Sequence, residues 1–286
     1  MKHPVCFSLP GPLEEHGEEK LVFCLPIKDG YIGYSMIHSV KPSIQCNVWR
    51  MGPVDRYSDS LSVVERLTKP GAEWEMAIRL DGRPDFIGGV AHGDEVMEGA
   101  SFSLDGKAVT PSELTAPTPF CSAEICVDSI GYDPSIPMTP VLKHHKQICF
   151  DACGVTILQR VEWLGEYPLG VSYMAMMPPL KTVTDWYCTN LDETRIPLTP
   201  KDDLRKTEPI KTLTLGKTQG LRFSMTAEYP SFSAKENTYL VSDNGGLAYN
   251  KMYFVLPHGR TAEKGEIFET RTDYRIREDN EEKDRV

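Results

Sequence analysis

The feature that most limits what this chain can become is its rhythm. Apolar segments of strand length follow one another from residue 21 to residue 276, and turn-forming residues separate them. Leu21-Val-Phe-Cys-Leu25 and Tyr31-Ile-Gly-Tyr-Ser-Met-Ile37 flank Lys28-Asp-Gly30, and residues 141–150 and 155–164 flank Asp151-Ala-Cys-Gly154. Asp-Gly between two such segments is a hairpin signal, because the tight turn needs positive φ and a short side chain that bonds its own backbone. Further runs at 212–215, 221–229, 237–242 and 251–256 continue the pattern, and a closing segment at 264–276 sets Phe268, Tyr274 and Ile276 on one parity.

A period of two places alternate side chains on opposite faces of a strand. Leu221, Phe223, Met225 and Ala227 thus share one face, and Arg222, Ser224, Thr226 and Glu228 the other. In the 141–150 arm, Ile148 and Phe150 share a face with Lys146 and His144, while Lys143, His145, Gln147 and Cys149 take the opposite one. Residues 58–67 break the rhythm: Leu61, Val64 and Leu67 stand at helical spacing and predict one short amphipathic helix, stopped by Pro70-Gly71. A dozen or more short strands, few helices and no βαβ alternation predict an all-β fold, a large antiparallel two-sheet sandwich or jelly-roll-like architecture.

With 286 residues, 40% of them apolar and 25% charged, the chain can bury a substantial core. An all-β chain of this length is expected to form a single sandwich domain over residues 1–276, followed by an acidic, frayed tail at 277–286. The net charge of -10 and the lack of any Lys/Arg-rich run argue against nucleic acid and an anionic membrane as partners. No apolar run approaches the roughly 18 residues of a membrane span. Pro10-Gly11-Pro12 interrupts the apolar stretch near the start, so no signal peptide is expected. Eight cysteines without a CxxC pair predict buried reduced thiols in a cytoplasmic setting, with no zinc site. No cofactor is expected, and the oligomeric state is left open.

The chain lacks GxGxxG, a Walker loop, GxSxG and HExxH, which removes the usual support for nucleotide-binding, lipase-type and metalloprotease readings. The chemistry concentrates instead in Phe86-Ile-Gly-Gly-Val-Ala-His-Gly-Asp-Glu95, where glycines admit a tight bend and gather titratable side chains. His92 suits a general acid or base at neutral pH, the ordinary alternative being a turn histidine bonded to backbone. Asp94 and Glu95 point to opposite faces if the strand continues, so Asp94 orients the imidazole in that case, whereas a bend at Gly93 brings in Glu95. His144 and His145 sit between lysines, either at a solvated strand end or with one imidazole in the groove beside His92. Tyr173 is either core or a proton carrier at a groove edge, and Lys143 and Arg222 are either surface charges or partners for a substrate carboxylate. A metal would need His92, an acid and a second histidine, and no close-spaced ligand set supports one.

Two stretches resemble galactose-mutarotase-like and related β-sandwich carbohydrate enzymes. Gly88-Gly-Val-Ala-His-Gly93 is similar to the Gly-rich His-Gly segment of some aldose epimerases, and the ending Lys264-Gly-Glu-Ile-Phe-Glu-Thr-Arg-Thr-Asp-Tyr-Arg-Ile276 is similar to their closing strand. The early Asn-His pair and the late Glu-x-Gln context of aldose epimerases are not found here. The wider class includes polysaccharide lyases, in which a His or Tyr takes the proton α to a uronate carboxyl group while a cation or amide neutralises that carboxylate. The resemblance therefore implies a carbohydrate substrate and proton-transfer chemistry, a lyase before an aldose mutarotase or epimerase. His92, Glu95, His145 and Tyr173 are the expected catalytic residues, with Asp94, Lys143 and Arg222 binding substrate. A non-catalytic sugar-binding or structural sandwich is the alternative of another class, and it requires that these groups do not converge.

Overall fold

A computed structural model describes residues 2–13, 17–72, 74–198, 204–229, 237–242 and 245–279. The first strands are β1 (Val5–Leu13), β2 (Gly17–Ile27), β3 (Gly30–Lys41), β4 (Cys46–Tyr57) and β5 (Val63–Arg66). One helical turn, α1 (Gly89–His92), precedes β6 (Glu95–Leu104), β7 (Lys107–Val109), β8 (Thr118–Pro119), β9 (Ala123–Tyr132), β10 (Pro140–Asp151) and β11 (Gly154–Trp163). Then come β12 (Tyr167–Pro168), β13 (Tyr173–Met177), β14 (Trp186–Thr189), β15 (Ile196–Pro197), β16 (Leu204–Glu208) and β17 (Thr212–Gly216). The chain ends in β18 (Leu221–Glu228), β19 (Asn237–Ser242), β20 (Lys251–Val255), β21 (Thr261–Ala262) and β22 (Ile267–Glu278).

Sixteen strands form one continuous sheet in the order β15-β14-β17-β18-β22-β11-β10-β9-β6-β4-β3-β2-β1-β8, with β5 added to β4 and β7 to β6. A sheet this wide must curl or fold to bury an apolar face. It turns its corner between β4 and β6, which pair in parallel only at Cys46↔Glu95 and Asn47↔Val96. The two arms then face each other: Phe23 of β2 stacks on Phe150 of β10 with ring centroids 4.0 Å apart, although four strands separate them in the sheet. A four-stranded sheet, β13-β20-β19-β16, completes the layer opposite the long arm. Its Ala175, Met177, Met252 and Phe254 join Phe23, Phe150 and Phe223 in one core. Fully burying each such aromatic stabilises by about 1.5–3 kcal/mol. The fold is an all-β sandwich, and among the described residues no helix is long and apolar enough to cross a membrane.

The hairpins expected at Lys28-Asp-Gly30 and Asp151-Ala-Cys-Gly154 are present, and the same Asp-Gly signal at Asp105-Gly106 also turns a hairpin. The helix expected over 58–67 is not present: Val63–Arg66 pairs with Asp55–Tyr57 as β5. Two β-branched valines pair better as a strand than they coil. Leu61 turns the chain at φ +59°, and the Arg66–Asp55 ion pair at 2.5 Å pins the ladder. Alternation over residues 73–80 predicts a strand, but the structure forms only single bridges at Ala77↔Tyr173, Ile78↔Ile87 and Leu80↔Leu169, and Glu73 is outside the described residues. The proline-rich stretch 189–209, whose composition predicts an irregular excursion, contains β15 and β16; its residues 199–203 lie outside the described residues, as do 243 and 244 of Asp243-Asn-Gly-Gly246, a turn by its composition. At the end, β22 runs through Glu278 and Asp279 is buried against Arg195, while the remainder of the expected tail, 280–286, lies outside the described residues.

Candidate active site

The Gly-rich stretch forms a pinched loop. Gly88 N donates to Gly93 O at 2.8 Å, closing one helical turn that displays His92. Both ends require glycine: Gly88 has φ +132° and a Cβ there would sit 2.2 Å from Met76 O, while Gly93 has φ +87° and a Cβ would meet Ile44 O at 2.1 Å. The turn is thereby pressed against two other segments of backbone, and the position of His92 follows from that close approach. Asp85, at the entrance of the loop, meets His92 Nδ1 with Oδ1 at 2.7 Å. An ionised carboxylate only accepts, so Nδ1 carries a proton, and in the neutral form of the ring the lone pair is on Nε2.

His92 opens onto a cavity of about 620 Å³ between this loop and the β13–β20 edge of the four-stranded sheet. One side is a row of rings: His92 and Phe86 lie 4.8 Å apart, Phe86 and Tyr173 6.3 Å, and Tyr173 and Tyr253 5.0 Å. Lys41, Lys69 and Lys251 also line it, and no described carboxylate does. In a chain of net charge -10 this concentrates positive charge beside an aromatic wall. Tyr173 is placed by reciprocal bonds between its backbone and that of Ala77, both 2.9 Å.

Beneath the loop lies a second group, sealed inside the sandwich. Glu95, 2% exposed, accepts from Ser129 Oγ at 2.8 Å and His144 Nδ1 at 3.0 Å, and Lys146 Nζ stands 3.8 Å away. Burial opposes its charged form, but the Lys146 ammonium and the bonds from His144 and Ser129 prevail and hold its carboxyl well below the usual range. Lys146 Nζ also stands 4.0 Å from Glu75 Oε1, which accepts from Met51 N at 2.6 Å. Gln159 bridges His144 to the Met174 carbonyl.

Of the residues expected at the site, His92 and Tyr173 share the cavity wall. Glu95 points into the core, away from it. Asp94, at φ +55°, does not line the cavity; partial burial first, then Asp85 and Asp133, push its carboxyl up to about 6. His145 lies on the outer face of β10 bonded to Asp128 at 2.8 Å, and Lys143 is exposed on that same face. Arg222 stands 3.6 Å from Asp279 on β18, away from the cavity. The cations that do line it, Lys41, Lys69 and Lys251, carry no motif in the sequence. His144 and Lys146 do carry a signal, because two titratable side chains on the apolar parity of a strand must end up buried together. Among the described residues no three His, Cys, Asp or Glu side chains gather to hold a metal ion.

No family model matches the chain, and no curated protein matches it in sequence. Solved structures to which it is similar include a protein from Synechocystis sp. PCC 6803, at 10% identity and TM-score 0.45, covering 94% of this chain and 100% of that one. A heparan sulfate lyase HepC mutant from Pedobacter heparinus is similar at 9% identity and TM-score 0.45, covering 96% of this chain and 37% of the lyase. A "Putative aldose 1-epimerase" from Escherichia coli K12 is similar at 12% identity and TM-score 0.42, covering 91% and 99%. The chain thus spans little more than a third of the heparan sulfate lyase.

Proposed function

We propose that the protein is a carbohydrate-active enzyme that works by proton transfer on a uronic-acid-containing saccharide, as a lyase. The observation that carries this reading is that His92, oriented by Asp85, and Tyr173 line one cavity whose other polar lining includes three lysines. A sugar ring stacks on the Phe86–Tyr173–Tyr253 row, and its carboxylate faces Lys41, Lys69 and Lys251. Neutralising that carboxylate acidifies the α C–H. Nε2 of His92 takes that proton; the electron pair forms the C=C bond as the glycosidic C–O bond breaks. The Tyr173 hydroxyl protonates the departing oxygen. Convergence of a base, an acid and cations favours this over a non-catalytic sugar-binding sandwich.

The test is ultraviolet absorbance of unsaturated product released from a panel of uronate oligosaccharides. His92→Ala and Tyr173→Phe are each expected to slow the reaction by about 100- to 10,000-fold, the usual worth of general acid–base catalysis. Silence of the wild-type protein across the panel overturns the lyase. Polarimetry on common aldoses then tests the epimerase reading.

A further inference from the structure

The sealed group beneath the cavity fixes its own charge state by geometry. His144 meets an acceptor with each ring nitrogen: Nδ1 lies 3.0 Å from Glu95 Oε1 and Nε2 3.1 Å from Gln159 Oε1. The amide of Gln159 cannot be reversed, because its Nε2 donates to Met174 O at 2.6 Å and to Thr270 Oγ1 at 3.3 Å. The opposite orientation would set one carbonyl oxygen against another. With Glu95 only accepting, both bonds form together when both ring nitrogens of His144 carry protons. Two anions, Glu75 and Glu95, then balance two cations, His144 and Lys146, with all four side chains 5% exposed or less.

The ends of this chain of bonds are what give it consequence. At one end Glu95 Oε2 accepts from Gly89 N at 3.4 Å, the first residue of the turn that displays His92. At the other, Gln159 holds the carbonyl of Met174, the residue next to Tyr173. We propose that Glu95, His144 and Gln159 are positioning residues, a buried charged relay that holds the His92 turn and the Tyr173 strand at one separation. The inference rests on the catalytic assignment of His92 and Tyr173 made above. None of the three lines the cavity, and the relay acts on the reaction only through the two residues that do.

Two measurements test it. In the ligand-free protein labelled with ¹⁵N-histidine, His144 is expected to show two ring N–H protons at neutral pH; a single ring proton overturns the relay. Gln159→Met removes the link to Met174 O together with the acceptor for His144 Nε2, and Glu95→Asp keeps the charge but withdraws it from Gly89 by one methylene. Each variant, confirmed as folded by its melting transition, is expected to lose about 100-fold in kcat with KM little changed, the effect of an ångström-scale misplacement. An unchanged kcat, or a rise in KM alone, overturns the proposal. If the wild-type protein acts on none of the saccharides offered, the functional reading fails but the relay is still decided. Gln159→Met must then shift the ring resonances of His92 and Tyr173 and leave those of His3 and Tyr31 in place, and unshifted His92 and Tyr173 signals overturn it.

Discussion

Replacing Lys146 with methionine removes a cation from the middle of the sealed group and leaves its volume nearly filled. The side chain is 1% exposed, and its ammonium stands 3.8 Å from Glu95 and 4.0 Å from Glu75. At an effective dielectric of about 20, each pair at roughly 4 Å is worth about 4 kcal/mol of attraction, from which the cost of burying the ammonium must be subtracted. Breaking such a pair while its anions remain buried costs about 3–5 kcal/mol, against a typical total stability of about 5–15 kcal/mol. Lys146→Met is therefore expected to lower the urea midpoint strongly at pH 7 with an unchanged slope. The deficit should shrink as pH falls, because one carboxyl freed of its cation takes up a proton. The double variant Lys146→Met/Glu75→Gln restores the balance of charge, and the amide oxygen it introduces can still accept from Met51 N as the carboxylate does. It should recover about 1–3 kcal/mol of coupling. A loss below about 1 kcal/mol for Lys146→Met, or no recovery in the double variant, refutes the account of a balanced buried quartet.

Gly93→Ala places a Cβ 2.1 Å from the Ile44 carbonyl at φ +87° and ψ -148°, a region close to glycine-only. It should cost about 1–3 kcal/mol or more of stability by urea unfolding and lower turnover as well, because relief of the contact moves the His92 turn. Asp94→Asn tests a pH dependence. The native carboxyl titrates at about 6 against an ordinary value of 3.8, so the folded state binds the proton more tightly than the unfolded one. Stability from this group is present below 3.8 and is lost as pH rises through about 6. Asparagine, which also tolerates the positive φ, should therefore raise the melting temperature relative to the native protein more at about pH 7 than at about pH 4. An equal gain at both pH values would count against it.

Much of the architecture is legible in the sequence because strand faces obey a period of two. The 141–150 arm shows this well: its parity separates His144 and Lys146 from Lys143 and His145, and the inner pair is 1% exposed. The Asp-Gly turns are legible because their backbone requirement is local. The 58–67 segment misleads because three apolar residues at helical spacing also fit a turn followed by an edge strand, and only pairing with β4 distinguishes them. At the site, the Gly88 to Gly93 loop is visible as a cluster of glycines around a histidine. Its carboxylate partner is not, since Asp85 lies seven residues away and reaches His92 only when the loop closes.

By itself, then, the sequence determined the all-β class, the hairpins, the faces of the strands and the loop that carries His92, all consequences of local backbone preference and alternation. The tertiary structure alone decided which titratable groups meet. The fold of the long sheet carries Glu95 and His144 into the interior and Lys143 and His145 to the outer face. It also brings Lys41, Lys69, Tyr173 and Lys251 from distant segments around His92. No periodicity encodes those meetings, because they depend on how the sheet turns its corner between β4 and β6 and where the smaller sheet closes against it.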